Sequence, residues 1–226
     1  MWLLVVRSNN DPVVPASLFL TNVLKLKVCP NLLRTDHGTE TGIMATIQCV
    51  LQQDVKAHRF GTSVTNQRIE NWWSHCKAGY TAWVINLFKD LVNDGTFILG
   101  NHVHMECAWF VFSDFIQEDL NDVIKRWNTH YIRKSKCSIV GGIPNELFYL
   151  PEKTGYSNCG KSITRSDIDS ILQQRNVFQE SEYILSSHDE DLSDYFQYVI
   201  LNENLPFPPR DWDEAKFTFV NIISKL

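Results

Sequence analysis

Asp36 and Glu70 are the residues whose types and settings could do chemistry. Thirty-three residues separate them. Asp36 follows a short apolar run, Leu32-Leu33, and heads the turn Asp36-His37-Gly38-Thr39-Glu40. Functional groups commonly emerge at such strand ends in α/β sheets. Glu70 falls on the first or second turn of a long predicted helix. Two carboxylates brought together from a strand end and a helix can hold divalent cations, because hard cations such as Mg²⁺ take carboxylate and water oxygens. In a two-metal site the ions activate a water or a hydroxyl and stabilise the leaving oxygen of a phosphodiester. Taken alone, Glu70 reads as an ordinary solvated helix residue; its pairing with Asp36 gives it a chemical reading.

The elements that must position this pair follow from hydrophobic periodicity. Ile69, Trp72, Trp73, Cys76, Tyr80, Trp83, Val84, Leu87, Phe88 and Leu91 recur at intervals of three and four, which predicts one buried stripe on one helix. Ser63 or Thr65 is its expected N-cap. Glu70 lies roughly 100° around the helix from Ile69, at the stripe's edge. Upstream, Trp2 to Val6 reads as a buried strand. Asp11-Pro12 opens a helix that runs to about Lys27, with Asp as cap and Pro at the first turn. A second amphipathic helix spans Ile43 to Gln53, and Val55 to Phe60 is a short strand or loop. Downstream, Asp94-Gly95 ends the Glu70 helix and a further long helix covers about Val103 to Tyr131. Residues 138–166 read as an extended segment and linker. Three helices are expected after it: Asp167–Arg175, Asp191–Asn202 and Asp211–Lys225. The expected organisation is a core over 1–137, the linker over 138–166 and a helical, acidic C-terminal extension over 167–226.

Composition narrows the class. Of 226 residues, 44% are hydrophobic and 21% charged, ordinary for a globular chain. Aromatics make up 12% with seven Trp, enough for a large aromatic core or a binding surface. The net charge of −5 is uneven. Residues 1–137 hold 14 Lys and Arg against 12 Asp and Glu; residues 138–226 hold 7 against 14. Any affinity for nucleic acid must therefore come from a local patch in the first part. The six cysteines are dispersed without a Cys-x-x-Cys pair, which points to reduced core thiols in an intracellular protein. The apolar N-terminus is broken at Arg7 and is too short for a signal peptide. No apolar run approaches the roughly 20 residues that span a membrane.

The stretches Arg34-Thr35-Asp36-His37-Gly38-Thr39-Glu40 and Gly61 to Glu70, with Asn66-Gln67-Arg68-Ile69-Glu70 at its end, resemble the second and third acidic motifs of the DDE retroviral-type integrase core. The resemblance is to a transposon-derived animal group of integrase core domain proteins. Ser8 to Pro12, Trp127 to Arg133, Gly142 to Pro151 and Glu203 to Pro206 resemble that group too. The resemblance implies an α/β, RNase H-like fold with a mixed sheet flanked by helices. It implies a three-carboxylate site with Asp36 as the second acid and Glu70 as the third, both catalytic and metal-binding, with Mg²⁺ or Mn²⁺ as cofactor. It implies DNA binding and phosphodiester cleavage with strand transfer. The first Asp has no counterpart, because in the family it lies on a strand ahead of the segment matched by Met1 to Val6. Asp11 falls in a helix cap and does not replace it. The expectation is an N-terminally truncated core with strand transfer absent or severely reduced. The alternative is a non-catalytic module that binds nucleic acid or protein on an RNase H-like scaffold.

Candidate DNA contacts are Asn66, Gln67, Arg68 and Lys77 near Glu70, and Arg133 and Lys134 with Lys136 at the end of the second long helix. Cations there could neutralise phosphates while Asn66 and Gln67 bond bases or sugars. Plain solvation, or capping of the helix dipole by the last group, accounts for the same residues. His102-Val103-His104-Met105-Glu106-Cys107 superficially resembles a zinc cluster, but no second ligand pair has suitable spacing, so a structural role is expected. The expected partner is DNA, with a protein partner or a second copy as the alternative and no membrane. The expected location is intracellular and nuclear.

Overall fold

The computed structural model describes residues 2–8, 10–61, 67–134, 140–174 and 189–226; of residues 67, 68, 170 and 172–174 only the backbone is described. In chain order the elements are α1 (Val13–Leu26), β1 (Val28–Pro30), β2 (Leu33–Thr35), α2 (Gly42–Gln52), β3 (His58–Phe60), α3 (Gln67–Cys76), a π-helical segment (Lys77–Thr81), α4 (Ala82–Asn93), α5 (His102–Thr129), α6 (Pro144–Tyr149), β4 (Gly160–Ser162), α7 (Arg165–Gln174), α8 (Glu190–Glu203) and α9 (Trp212–Ile223). Short 3-10 turns precede α2 and follow α6. The chain mixes helices and strands, as expected. A single mixed sheet does not form among the described residues. Instead β1 pairs antiparallel with β4, and β2 pairs parallel with β3.

Packing divides the chain into two compact units that interleave in sequence. The first comprises Met1–Thr65 and Leu120–Ser186, the second Asn66–Asp119 and Ser187–Leu226.

In the first unit α1, α2 and α7 pack on one another around β1. Ala16, Leu20, Val23, Cys29, Ile47, Leu51, Ile163, Ile168 and Ile171 form the core. Asp11 Oδ1 accepts from Val13 N–H at 2.9 Å, and α1 begins one residue later than expected, with Pro12 rather than Asp11 in the N-cap position. The described part of the expected linker is built in rather than strung out. Gly160–Ser162 lie on β1 in the register Val28↔Ser162, flanked by Asn31 N–H to Cys159 O (2.8 Å) and Ile163 N–H to Lys27 O (3.0 Å). Lys161 Nζ then donates to Leu51 O at 2.8 Å, a cation on the last turn of α2.

A buried amide organises this core. Gln48 is 0% exposed. Its Nε2 donates to Pro30 O (2.6 Å) and Ala57 O (3.3 Å), and its Oε1 accepts from Cys29 Sγ (3.1 Å). One turn on, Gln52 Nε2 donates to Cys29 O (3.1 Å) and Pro30 O (2.7 Å).

Trp2 to Val6 departs from expectation. It is extended but not part of a strand. Trp2 and Leu4 are exposed while Leu3 and Val5 are half-buried. The segment therefore lies with one face inward, and Trp2 packs edge-on against Phe148.

In the second unit α4, the first part of α5, α8 and α9 enclose Leu91, Phe97, Cys107, Val111, Phe112, Phe196, Val199, Phe219 and Ile222. Phe88, Phe97, Phe112 and Phe219 meet edge-on or tilted, the favoured geometry for aromatic quadrupoles. The expected helices 167–175, 191–202 and 211–225 form at 165–174, 190–203 and 212–223. Asp189 and Asp211 cap the last two, accepting from Leu192 and Glu214 N–H. The Glu70 helix is not one uniform helix. Trp72, Cys76, Val84 and Leu91 are buried, but Ile69, Trp73 and Trp83 are about half exposed. The wide turn at Lys77–Thr81 accounts for Trp83, which follows it. A π segment inserts about one extra residue, so the residue eight positions after Cys76 returns to its face, not the one seven after. Val84 points in and Trp83 turns out.

Among the described residues no helix is long and apolar enough to cross a membrane. The expected caps Ser63 and Thr65, and Cys137, lie outside the described residues.

Two outcomes follow from these cores. Replacing Gln48 with Leu keeps the volume but removes the amide partners of Cys29, Pro30 and Ala57. Unfolding free energy in urea should fall by about 0.5–1.5 kcal/mol, the net worth of a lost hydrogen bond, because Pro30 O keeps Gln52 and Ala57 O keeps Leu33 N–H; a melt identical to wild type would show the amide to be dispensable. Alkylation of the native protein should label exposed Cys159 first. Cys29 and Cys107 should stay unmodified until denaturant is added, because burial raises both thiol pKa values and suppresses the reactive thiolate.

Candidate nucleic-acid interface

The β2–β3 ladder places Asp36. Leu33 pairs with His58, Arg34 with Arg59 and Thr35 with Phe60. Leu33 N–H donates to Ala57 O (2.9 Å) at one end, and Gly61 N–H to Thr35 O (2.8 Å) at the other. The strand is thus held up to the residue before Asp36. Asp36 itself is exposed, one position past the last paired residue.

The turn that follows is closed locally. Asp36 O accepts from Gly38 N–H at 3.0 Å, and Gly38 O accepts from Thr41 N–H (3.3 Å) and Thr41 Oγ1 (2.9 Å). The Glu40 carboxylate folds over Gly38, where a Cβ would collide with it. A larger residue at position 38 would displace the Glu40 carboxylate, the free end of a flexible side chain. Beside the turn, His37 stacks on Phe60 with centroids 5.0 Å apart and planes 18° off parallel, and His58 meets Phe60 edge-on at 4.6 Å. His58 Nε2 lies 3.0 Å from Thr35 Oγ1. Burial holds the His58 pKa below the usual imidazole value.

Glu70 sits on the first turn of α3 with its side chain exposed, and its carbonyl accepts from Ser74 Oγ at 3.1 Å. Asp36 belongs to the first unit and Glu70 to the second. Each is positioned by its own element, and the pair is not assembled within one compact body. Among the described residues no three His, Cys, Asp or Glu gather as a cation ligand set.

The remaining candidates divide the same way. Asn66 lies outside the described residues, and Gln67 and Arg68 are placed by backbone alone on the first turn of α3. Lys77 is exposed at the start of the π segment. Arg133 and Lys134 are exposed in the first unit, next to the bridge between Ile132 and Gly142. The zinc-like run is structural. His104 Nδ1 accepts from Ile98 N–H (3.3 Å), His102 Nε2 lies 3.2 Å from Asp189 Oδ2, and Cys107 is buried in the aromatic core.

Charge segregates with the units far more sharply than with halves of the sequence. The first unit holds 15 Lys and Arg against 11 Asp and Glu, net +4; the second holds 6 against 15, net −9. The sequence split at residue 137 hides this, because it joins the acidic stretch 66–119 to the basic flanks that pack together without it. The basic field is therefore on the unit that carries Asp36, Arg133 and Lys134.

A family model described as the integrase core domain matches residues 1–150. The chain belongs to the integrase core domain family. The match includes both acidic stretches and the cationic end of α5. No curated protein and no solved structure matches the chain.

As an integrase core domain protein with a half-buried imidazole beside its Asp36 turn, the chain should show a pH signature. The folded pKa of His58 is below 6.5, so the unfolded chain binds the proton more readily. Stability is unaffected well above pH 6.5 and falls as the pH drops from there through the folded pKa. NMR titration should find the His58 ring titrating below the value of a free imidazole side chain, and His58→Gln should flatten the acid-side decline of Tm. A His58 midpoint at or above the free value would contradict the burial.

Proposed function

We propose that this integrase core domain protein binds DNA through its basic unit, on an RNase H-like scaffold, and that it does not carry out strand transfer. One observation carries the reading: the family match over residues 1–150 spans Asp36, Glu70, Arg133 and Lys134. Phosphodiester cleavage and strand transfer with Mg²⁺ or Mn²⁺ is the ancestral activity that this membership suggests, with Asp36 and Glu70 as the second and third acids. Binding without turnover is supported by the sequence resemblance, in which the first acid of the three-carboxylate set has no counterpart among residues 1–226. The net +4 of the unit around Asp36 supports DNA as ligand, since neutralising phosphates releases counterions and supplies most of the affinity. A role on DNA places the protein in the nucleus.

The net −9 of the second unit favours a different partner for that half. A field of that sign repels a phosphate backbone and attracts a basic protein surface. The second unit is accordingly the protein-binding part of the same molecule.

Fluorescence anisotropy with a labelled duplex should show binding at about 50 mM salt that weakens steeply by about 200 mM. Nicking and strand-transfer assays in Mg²⁺ or Mn²⁺ should show no product above background. Robust metal-dependent product, abolished by Asp36→Asn or Glu70→Gln, would overturn the inactive reading. Absence of binding at low salt would overturn the DNA reading.

A further inference from the structure

Arg34 and Arg59 are register partners in the parallel pair of β2 and β3. Strands in a ladder lie about 4.8 Å apart, and residues at the same register project from the same face. Both arginines are exposed. The flanking pairs, Leu33 with His58 and Thr35 with Phe60, alternate to the opposite face, where the His37–Phe60–His58 cluster sits. Alternation carried one residue past Thr35 returns Asp36 to the arginine face. Two guanidiniums and one carboxylate thus share that face.

Like charges directly across a ladder destabilise it. The excess on this face is one positive charge, and a phosphodiester carries one negative charge. Guanidinium groups bind phosphate oxygens bidentately, through paired N–H donors in a planar fork. We propose that Arg34 and Arg59 together seat one phosphodiester of a DNA backbone beside Asp36. The pair fixes where the backbone crosses the ladder. It reads no base, because phosphate contacts set position and carry no sequence information. Neither residue stands out in the sequence, where Arg34 only precedes the acidic turn and Arg59 only occupies a short strand. The ladder register brings them together.

This inference rests on DNA binding by the basic unit, and the test separates the two. Duplex affinity is measured against salt for wild type, Arg34→Gln/Arg59→Gln, Arg34→Lys/Arg59→Lys and Lys153→Gln. Lys153→Gln removes an exposed charge elsewhere in the same unit. Each neutralised phosphate contributes a slope of about −0.9 in log K against log salt. The double Gln variant should lose about that one step. The double Lys variant, which keeps both charges, should retain it, and Lys153→Gln should match wild type. Circular dichroism and a thermal melt check the fold. If the double Gln variant melts early, the single Arg59→Gln variant is read instead and should lose the same step, because one phosphate is seated by both residues. Wild-type binding with an unchanged slope in the Gln variants would overturn this inference and leave DNA binding standing. No wild-type binding would overturn both.

Discussion

The first unit depends on how the chain between β1 and β2 is satisfied inside the protein. Among the described residues each of its two ladders has only two strands, and the carbonyls of Cys29, Pro30 and Ala57 are also within reach of α2, although Ala57 O already accepts from Leu33 N–H. Water is excluded there, and an unpaired carbonyl would be costly. α2 supplies the answer with two glutamines one turn apart. Gln48 and Gln52 place their amides on the same helix face and reach across to those carbonyls. The helix is thereby fixed to the end of β1 and to the loop before β3 at once. Since β3 is the ladder partner of β2, the same two side chains hold the strand that ends at Asp36.

The second unit is stabilised differently. Its core is aromatic and almost wholly apolar, with rings on α4, α5, α8 and α9 meeting edge to face. Its surface carries the acidic excess. Polar side chains beside that core are bonded: Thr218 Oγ1 donates to Pro206 O at 2.8 Å, and Trp212 donates its indole N–H to Asp119 at 2.9 Å. The Tyr80 hydroxyl lies beside the same carboxylate, and burial together with that negative charge pushes the Tyr80 pKa up. Asp119 thus ties the π segment after α3 to the start of α9.

Much of this was legible in the sequence. The helices at 190–203 and 212–223 lie within two residues of their expected ends, because Asp189 and Asp211 are strong caps ahead of regular apolar patterns. The strand end at Asp36 and the helical setting of Glu70 were legible as well. Three features were not. The outward turn of Trp83 depends on a π segment, which apolar spacing alone does not register. The incorporation of Gly160–Ser162 into a ladder depends on pairing with residues some 130 positions earlier, which no local pattern encodes. The basic character of the unit around Asp36 depends on removing 66–119 from the count, a partition set by packing rather than by order in the chain.

The interleaving of the two units bears on how the protein is made. During synthesis the first 65 residues emerge with α1, α2 and six of the nine buried residues of the first unit's core, but without β4 and α7, around which Ile163, Ile168 and Ile171 complete it. The second unit likewise waits for Phe196 and Phe219. Domains in many chains fold in order as they leave the ribosome. Here neither can finish until nearly the whole chain is present, and both begin with long-range closures that are entropically slow. The nascent chain holds its aromatic and aliphatic faces uncovered for most of its synthesis, which makes this fold dependent on protection before it is complete.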